Sequence, residues 1–412
     1  MGAAPEPAAT GECGSGAAPA ALAGLRVIDL SRVLAGPYCA QLFADFGADV
    51  IKVEDRHGDE NRRWEPMLGA QSANFMSVNR GKRAMTLDLK QPAGLQVLQA
   101  LVRRADVLVH SFLPDVAGRL GLDADGLHRL NPRLVQVVIS GYGDTGPMRG
   151  LPGYDLMLQA FSGMMSITGE MGGGPVRAGA SVVDMATGML AYGGAMSALW
   201  ARAQGRAQGQ AVRVSLLETS MALLGYHLVD VAATGTEPPR GGSGVWHLVP
   251  YQAFQTADGW VLAGATNDAT WERFCRAIGE PQLAAHPDYR LARDRVRQRE
   301  PLIHHLARVF LRAGTADWLA RLQAERVPCA PVHDLRSALQ HPQVAASQML
   351  LPLPDAEGTV RVLPGIPIKL GATPGRPGTA PPLLGQHTDD ILRTELGLDD
   401  EAIGALRAQE AI

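Results

Sequence analysis

Along the first third of the chain, short apolar runs alternate with stretches whose apolar positions recur at helical spacing. RVIDL (26–30) is followed by SRVLAGPYCAQLFADFGA (31–48), which has a Gly-Pro start, a helical apolar pattern and a glycine stop, and then by a second buried run, DVIKVE (49–54). Strand, helix, strand in this span predicts a parallel pair joined by a right-handed crossover. The alternation continues with MTLDL (85–89), a helix near 92–104, DVLVHSF (106–112), a short helix from about 115 and LVQVVISGYG (134–143). This pattern predicts an α/β fold with a doubly wound, largely parallel sheet.

Beyond residue 205 the pattern changes. QAVRVSL (210–216) reads as a strand leading into another helix, RGGSG (240–244) as a flexible loop, and YQAFQTADGWVLAGA (251–265) as a hairpin around Asp258 and Gly259. Helices dominate from about 269 to 326, and GTVRVLPGIPIKL (358–370) returns to strand. No internal repeat is present. The expected organisation is a disordered tail (1–22) and a large Rossmann-like domain built from 23–205 with 370–412. A linker (206–230) leads to a smaller α+β domain (231–335), and a return linker (336–369) closes the path.

For 412 residues, roughly 100 to 200 per domain gives two or three domains, and two is the simpler reading. A chain that is 46% hydrophobic and 19% charged, with a net charge of -3, favours neither nucleic acid nor an anionic membrane as partner, and suits a small-molecule enzyme. Cys13, Cys39, Cys275 and Cys329 have no metal-ligand or CxxC spacing, which argues against a structural zinc or a disulfide framework and for a reducing, cytoplasmic setting. Residues 1–22 are rich in Ala, Gly and Pro, include Glu6 and Glu12, and lack the basic and apolar regions of a signal peptide. No apolar run reaches the ~20 residues of a membrane span; the helix-like stretch 185–203 is broken by Gly188, Gly193 and Gly194, so a soluble protein is expected. After the first strand SRVLAGP lacks the GxGxxG spacing of a dinucleotide site, and no GxxxxGK[ST] loop occurs, which argues against NAD and P-loop chemistry.

Seven stretches, in order, resemble the class III CoA-transferases, the family of formyl-CoA transferase and carnitine CoA-transferase: RVIDLSRVLAGPYCAQLFADFGADVIKVE, NRGKRAMTLDLK (79–90), HSFLPDVAGRLGL (110–122), SGYGDTGPMRGLPGYD (140–155), SITGE (166–170), ASVVDMATGMLA (180–191) and PLLGQHTDDIL (382–392). The resemblance covers almost all of residues 25–395. It implies transfer of CoA between carboxylic acids through aspartyl anhydride and aspartyl-CoA thioester intermediates, with coenzyme A as substrate and neither a metal nor a tightly bound cofactor. It also implies an interlocked homodimer.

By that resemblance Asp184 is the nucleophile. The same residue also reads as an N-cap for the helix that follows, a role that needs only a hydrogen-bond acceptor. Val33, Leu34, Ala35, Leu87, Lys90, Phe112, Leu113 and Arg119 fall on the family's CoA-contacting positions; Lys90 and Arg119 suit CoA phosphates, or are solvated surface charges. Leu34 stands where formyl-CoA transferase carries a glutamine that contacts the reacting groups, which argues against formate or oxalate. Gly241, Gly242, Ser243 and Gly244 resemble the family's glycine-rich lid, or form a plain linker. Trp64 and Tyr154 fall on the substrate side, although Trp64 in RRWEP could equally be packing.

The main alternative is an α-methylacyl-CoA racemase of the same family. The racemase signature has a His before the Asp of the motif that here reads Tyr154-Asp155, and a tyrosine with a pKa near ~10 is a poor base at neutral pH. A non-catalytic nucleotide-binding module, in which Asp184 would be dispensable, has no positive support. HLVPYQAFQTADGWVLAGATN (247–267) with PLLGQHT resembles the branch that uses succinyl-CoA and dicarboxylic acids, and Arg177, Arg240 and His247 are candidate partners for the distal carboxylate, or ordinary surface residues.

Overall fold

In the computed structural model of the chain, residues 20–412 are described. They form two compact units, one containing residues up to Pro152, Asp184–Ser215 and Gln348–Ile412, the other Gly153–Val183 and Leu216–Ser347.

The first unit is a six-stranded parallel sheet of β1 (Arg26–Asp29), β2 (Asp49–Glu54), β3 (Arg83–Thr86), β4 (Val107–His110), β5 (Val135–Ser140) and β6 (Gln210–Ser215), in the order β3-β2-β1-β4-β5-β6. β1, β2 and β4 are almost continuously buried, as expected where helices cover both faces of a parallel sheet. On one face Ile28, Ile51, Met85 and Leu108 pack against Leu98 and Leu101 of α2 (Pro92–Val102), which starts with proline at its first turn, where no N–H is needed. α1 (Ala35–Asp45) lies against β1, β2 and β4 and is buried along its whole length. Its polar Gln41 and Asp45 are buried because both bond to Arg80: the guanidinium donates to the two oxygens of Asp45 at 2.8 and 2.6 Å, and Gln41 Oε1 accepts the Arg80 N–H at 3.1 Å. Two further helices are used below, the short α3 (Pro114–Arg119) and the long α4 (Val182–Ala203), which enters this unit at Asp184.

The C-terminal segment returns to the same core. Within α5 (Thr388–Leu396) and α6 (Asp400–Ala408), Ile391, Leu392 and Ile403 are buried beside α2, and Thr388 Oγ1 accepts the Thr86 N–H at the edge strand β3. In the second unit Tyr251–Gln255 and Trp260–Gly264 form the expected antiparallel hairpin, extended by Cys329–Pro331. Helices over Asp268–Ala277, Arg299–Phe310 and Thr315–Ala324 close a core in which Phe254 stacks on Phe310 at 4.5 Å and Trp318 Nε1 donates to the Phe310 carbonyl.

Several boundaries differ from the sequence reading. Residues 206–230 are no linker: Gln210–Ser215 is the sixth strand, paired along its length with β5, and Leu216–Leu224 and Tyr226–Thr234 are helices of the second unit. The pattern of QAVRVS is that of a strand, but its partner lies some seventy residues back, which local spacing does not reveal. β3 ends at Thr86 rather than continuing to residue 89, because the Asp88 N–H turns away to the Ala411 carbonyl and the Lys90 N–H to the Asp88 side chain. The strand expected over 358–370 shortens to Val360–Pro364, paired with Leu350–Pro354. Of the expected tail, residues 1–19, with Glu6, Glu12 and Cys13, lie outside the described residues; Leu22 is buried and its N–H donates to the Phe46 carbonyl. Among the described residues no helix is long and apolar enough to cross a membrane.

β4 ends in His110, whose Nε2 lies 2.9 Å from the Gln136 amide nitrogen; that amide also donates to the Leu122 carbonyl, which makes the imidazole nitrogen the acceptor. Burial pushes this imidazole down to about 4. An unfolded histidine binds its proton near pH 6.5, so between about 6.5 and 4 the unfolded chain holds a proton that the folded chain refuses, and stability falls as pH drops through that window. Urea unfolding at pH 7 and pH 5 should therefore show about 2 kcal/mol more acid destabilisation in the wild type than in His110→Gln. Equal losses in the two proteins would mean that His110 is not buried neutral.

Candidate active site

In an open parallel sheet, adjacent strands whose crossovers leave in opposite directions open a crevice at their C-terminal ends. Here that reversal falls between β1 and β4. A cleft of about 660 Å³ lies there, entirely within the first unit and within the size range of small-molecule sites. Leu30 after β1, Val53 in β2, Leu87 after β3, Leu95 in α2, and Phe112 and Leu120 around α3 form its apolar wall. Phe112 is stacked on the buried His110 ring at 5.6 Å.

The charged lining sorts itself by partner. Burial works against ionisation of Glu54, but the Arg62 guanidinium, at 2.6 and 2.7 Å, and the Lys52 charge hold its carboxyl below the usual range. Asp59 is paired with Lys52 at 3.2 Å, Asp55 with Arg32 at 3.5 Å and Asp88 with Arg56 at 3.6 Å. Lys90 and Arg119, by contrast, have no ion-pair partner among the described residues. The cleft therefore combines an apolar wall with uncompensated positive charge, a combination suited to an anionic ligand that also carries apolar surface.

Of the residues singled out by sequence, Leu87, Lys90, Phe112 and Arg119 line this cleft, and Leu113 caps the start of α3 beside it. Val33 and Leu34 continue the loop whose Ser31 and Arg32 are part of the cleft wall, and Ala35 is the first residue of α1; none of the three lines the cleft itself. Trp64 is half-exposed at the end of the short helix Glu60–Arg63. Arg32, Glu54, Asp59 and Asp88 were missed by the sequence reading. Arg32, Glu54 and Asp88 lie inside the quoted motifs and Asp59 five residues beyond the first of them, so a search for charges at and just after the strand ends would have reached them.

Asp184 is the third residue of α4, not its N-cap as the sequence suggested, and is only 8% exposed. The acceptor at the helix start is supplied by Asp155 instead: within the second unit its Oδ2 accepts the Val183 N–H at 2.8 Å, and its Oδ1 accepts from the fully buried Gln159 amide. Gln159 Oε1 in turn accepts the Ala178 N–H at 2.9 Å. Both oxygens of Asp155 are thus engaged in holding backbone and side chain. One turn beyond Asp184, Gly188 meets the start of α1 so closely that a Cβ there would sit 2.6 Å from the Ala35 carbonyl oxygen and 3.1 Å from the Tyr38 ring. Met185 and Tyr192 pack on the cluster of Leu34, Tyr38, Leu42 and Val78. Asp184 therefore begins a helix seated on the very loop that rims the cleft.

The glycine loop and Tyr154 belong to the second unit. Gly242 has a left-handed φ of +59°, its N–H donates to the Gly169 carbonyl, and a Cβ would fall 2.7 Å from the Glu170 carboxylate, so this position requires glycine. Gly241 accepts the Gly244 N–H, and Ser243 Oγ accepts the Ala253 N–H. Tyr154 is half-exposed before the helix Asp155–Phe161. Arg240 donates to the Ser166 and Gly173 carbonyls and Arg177 to the Ala178 carbonyl, while His247 packs edge-on against Tyr226. Among the described residues no group of three or more His, Cys, Asp or Glu could hold a metal.

The first unit is thus a parallel α/β sheet with a crevice at its strand reversal, lined by apolar side chains and by the cations Lys90 and Arg119, unpaired among the described residues. Residues 22–388 match the model of CoA-transferase family III. The chain is 40% identical over 396 residues to an acyl-CoA transferase of Fusarium pseudograminearum, covering 93% of this chain and 86% of the relative. It is 34% identical over 387 residues to the succinyl-CoA:glutarate CoA-transferase of Homo sapiens, covering 93% and 88%. Its fold matches the crystal structure of a CAIB/BAIF family protein from Brucella suis with a TM-score of 0.82 at 30% identity, covering 92% of this chain and 100% of that one. The chain belongs to CoA-transferase family III, and is a transferase.

The close approach of α4 to α1 is directly testable. Gly188→Ala gains helix propensity but drives a methyl group into a backbone oxygen that cannot swing away, and overpacking of this kind costs about 1 to 3 kcal/mol. A lower thermal midpoint is expected; an unchanged or raised one would show that the two helices do not meet at Gly188.

Proposed function

We propose that the protein transfers CoA between carboxylic acids, with Asp184 as the covalent carrier and a dicarboxylyl-CoA such as succinyl-CoA as donor to a dicarboxylate acceptor. The observation that carries this reading is the placement of Asp184: a nearly buried carboxylate in the first turn of a 22-residue helix that rests on the loop rimming the cleft. The first turn of a helix favours negative charge, so an anionic nucleophile and the oxyanion formed next to it are both supported there.

CoA occupies the cleft at the β1/β4 reversal, its apolar arm along Leu87, Leu95 and Phe112 and its phosphates near Lys90 and Arg119. Asp184 attacks the thioester carbonyl, and the carbon–sulfur bond breaks to give an aspartyl-acyl anhydride and the CoA thiolate. The thiolate attacks the aspartyl carbonyl, releasing the first carboxylate and leaving an aspartyl-CoA thioester. An acceptor carboxylate attacks that thioester, forming a second anhydride and freeing the thiolate. The thiolate then attacks the acceptor's acyl carbon, which yields the new acyl-CoA and regenerates Asp184. Every bond broken is replaced by one of comparable reactivity, so no redox or metal chemistry enters.

The dicarboxylate assignment draws on the relatives' substrates. Gly241, Gly242 and Gly244 act as the lid and Tyr154 and Trp64 lie on the substrate side. The working protein is an interlocked cytoplasmic homodimer, a reading supported by exposed apolar residues such as Met189, Leu190 and Trp200 on α4. The racemase reading has less support: it needs a free base, and both oxygens of Asp155 are engaged.

Asp184→Asn separates a nucleophile from a structural acceptor, because an amide keeps a hydrogen-bonding oxygen but is a far weaker nucleophile. The variant should fold and bind CoA, yet lose transfer from succinyl-CoA to glutarate by at least ~10³-fold. Wild type given succinyl-CoA and then hydroxylamine should be inactivated, with the mass change on the Asp184 peptide. Substantial activity in Asp184→Asn, or a modification elsewhere, would end the covalent mechanism.

A further inference from the structure

Val33 holds a backbone conformation that its side chain disfavours. Its φ is +67°, in the left-handed region where a β-branched residue is a genuine outlier, and such strain persists only where the surroundings enforce it. The enforcement is visible on both sides of the residue. The Val33 N–H donates to both carboxylate oxygens of Asp59, at 3.2 and 3.1 Å, and the Val33 carbonyl accepts from Asn61 Nδ2 at 2.6 Å.

The two clamping side chains are themselves immobilised. Asp59 is paired with the fully buried Lys52, its own N–H is bonded to Glu54, and its carboxylate also accepts the Asn61 N–H. Lys52 bonds the Ser31 carbonyl as well, so a single ammonium ties the clamp to the loop it controls. Burial opposes the charge on Lys52, but Asp29, Asp59 and Glu54 outweigh it and hold its pKa above the ordinary value. Asn61 is wholly buried, and its Oδ1 has no hydrogen-bond partner among the described residues. The amide thus leaves one polar atom unsatisfied while its nitrogen serves the Val33 carbonyl and Asn74.

What this loop connects gives the clamp its consequence. Ser31 and Arg32 belong to the cleft wall, whereas Leu34 and Ala35, two residues on, meet Met185 and Gly188 of the Asp184 helix. Val33 is the pivot between them. A relaxed Val33 would change the direction in which the chain leaves the cleft, and with it the seat of α4.

We propose that Asp59 and Asn61 are positioning residues for CoA transfer: by clamping the strained Val33 peptide from both sides, with Lys52 as counter-charge, they set Asp184 relative to the cleft. The proposal rests on the transfer reading above, and assigns to Asp59 no role as acid or base. Misplacement of reacting groups by about 1 Å can cost 10²-fold in rate.

The test uses the full chain with succinyl-CoA and glutarate as probes. Asp59→Asn should lower kcat by roughly 30- to 100-fold and Asn61→Ala by about 10-fold, while KM for succinyl-CoA changes by less than about threefold, because Lys90 and Arg119 are untouched. The discriminating variant is Val33→Gly. Glycine enters the left-handed region without cost, so it needs less enforcement, and Val33→Gly placed in either background should restore kcat about tenfold. A merely structural role would lower the thermal midpoint and the folded fraction, with no selective recovery of kcat per folded molecule. Should Asp59→Asn fail to fold with Lys52 left unpaired, Asn61→Ala with and without Val33→Gly decides alone, since it changes no charge. Wild-type kcat in the folded variants, or a loss that Val33→Gly does not relieve, overturns the clamp while leaving the transfer reading intact. A wild type that moves CoA to no dicarboxylate overturns the transfer reading, and the positioning role with it.

Discussion

Lys52 and Lys82 end inside the first unit with no exposed side-chain surface, on strand β2 and at the entry to β3, and each has a carboxylate within reach. Lys82 bonds Asp29 at 2.9 Å, the Pro37 carbonyl and Asn79; Lys52 bonds Asp59 and the Ser31 carbonyl. A buried ion pair adds little net stability compared with apolar packing, but removing one partner costs about 3 to 5 kcal/mol, because the other charge is left uncompensated. Such pairs therefore specify geometry more than they add stability. Here they specify the path of the chain between β1 and α1: Asp29 accepts from the Ser31 N–H and hydroxyl, Lys52 grips the Ser31 carbonyl, and Asp59 takes the Val33 N–H. The polar contacts at Ser31 and the Val33 N–H thus lead back to the two lysines within one or two bonds.

A sheet of this topology offers a crevice at its strand reversal, and the residues after β1 always border it. In a dinucleotide site that border is a glycine-rich turn whose bare backbone approaches a pyrophosphate. This protein has SRVLAGP at the same place, and although Gly36 leaves room for the Ser31 side chain, the Val33 peptide is held by side chains from the segment beyond β2. The strain at Val33, of order 1 to 3 kcal/mol, is offset by a carboxylate and an amide that a glycine turn would not need. What results is a loop that puts Ser31 and Arg32 on the cleft wall and turns Leu34 inward to pack in the cluster with Met185 and Tyr192 of α4.

The periodic parts of the fold were legible in the sequence because periodicity is local. β1, α1 and β2 fall where RVIDL, the Gly-Pro helix start and DVIKVE put them, and the hairpin around Asp258 and Gly259 pairs as its turn residues require. The motif residues Leu87, Lys90, Phe112 and Arg119 converge on one cleft although they come from two different crossovers. Where the reading differed, a distant partner decided. Gln210–Ser215 joins a sheet begun at residue 26, β3 stops at Thr86 because Asp88 meets the C-terminal Ala411, and the acceptor at the start of α4 is Asp155 instead of Asp184. An aspartate at the beginning of a helical pattern looks like a cap, and only the hydrogen-bond geometry shows that the Val183 N–H is taken by Asp155, from a segment nearly thirty residues earlier.

By itself the sequence determined most of the strands and helices and that the sheet is parallel, since these follow from spacing and residue type, and its resemblance to a family singled out the candidate site residues. Tertiary structure alone decided that Lys52 and Asp59 meet, that Val33 is held left-handed, and that Gly188 lets the Asp184 helix settle on Ala35. The reason is physical: a charge buried on one strand and the loop it restrains on another are coupled through space by desolvation and hydrogen bonding. Neither leaves a periodic trace along the chain.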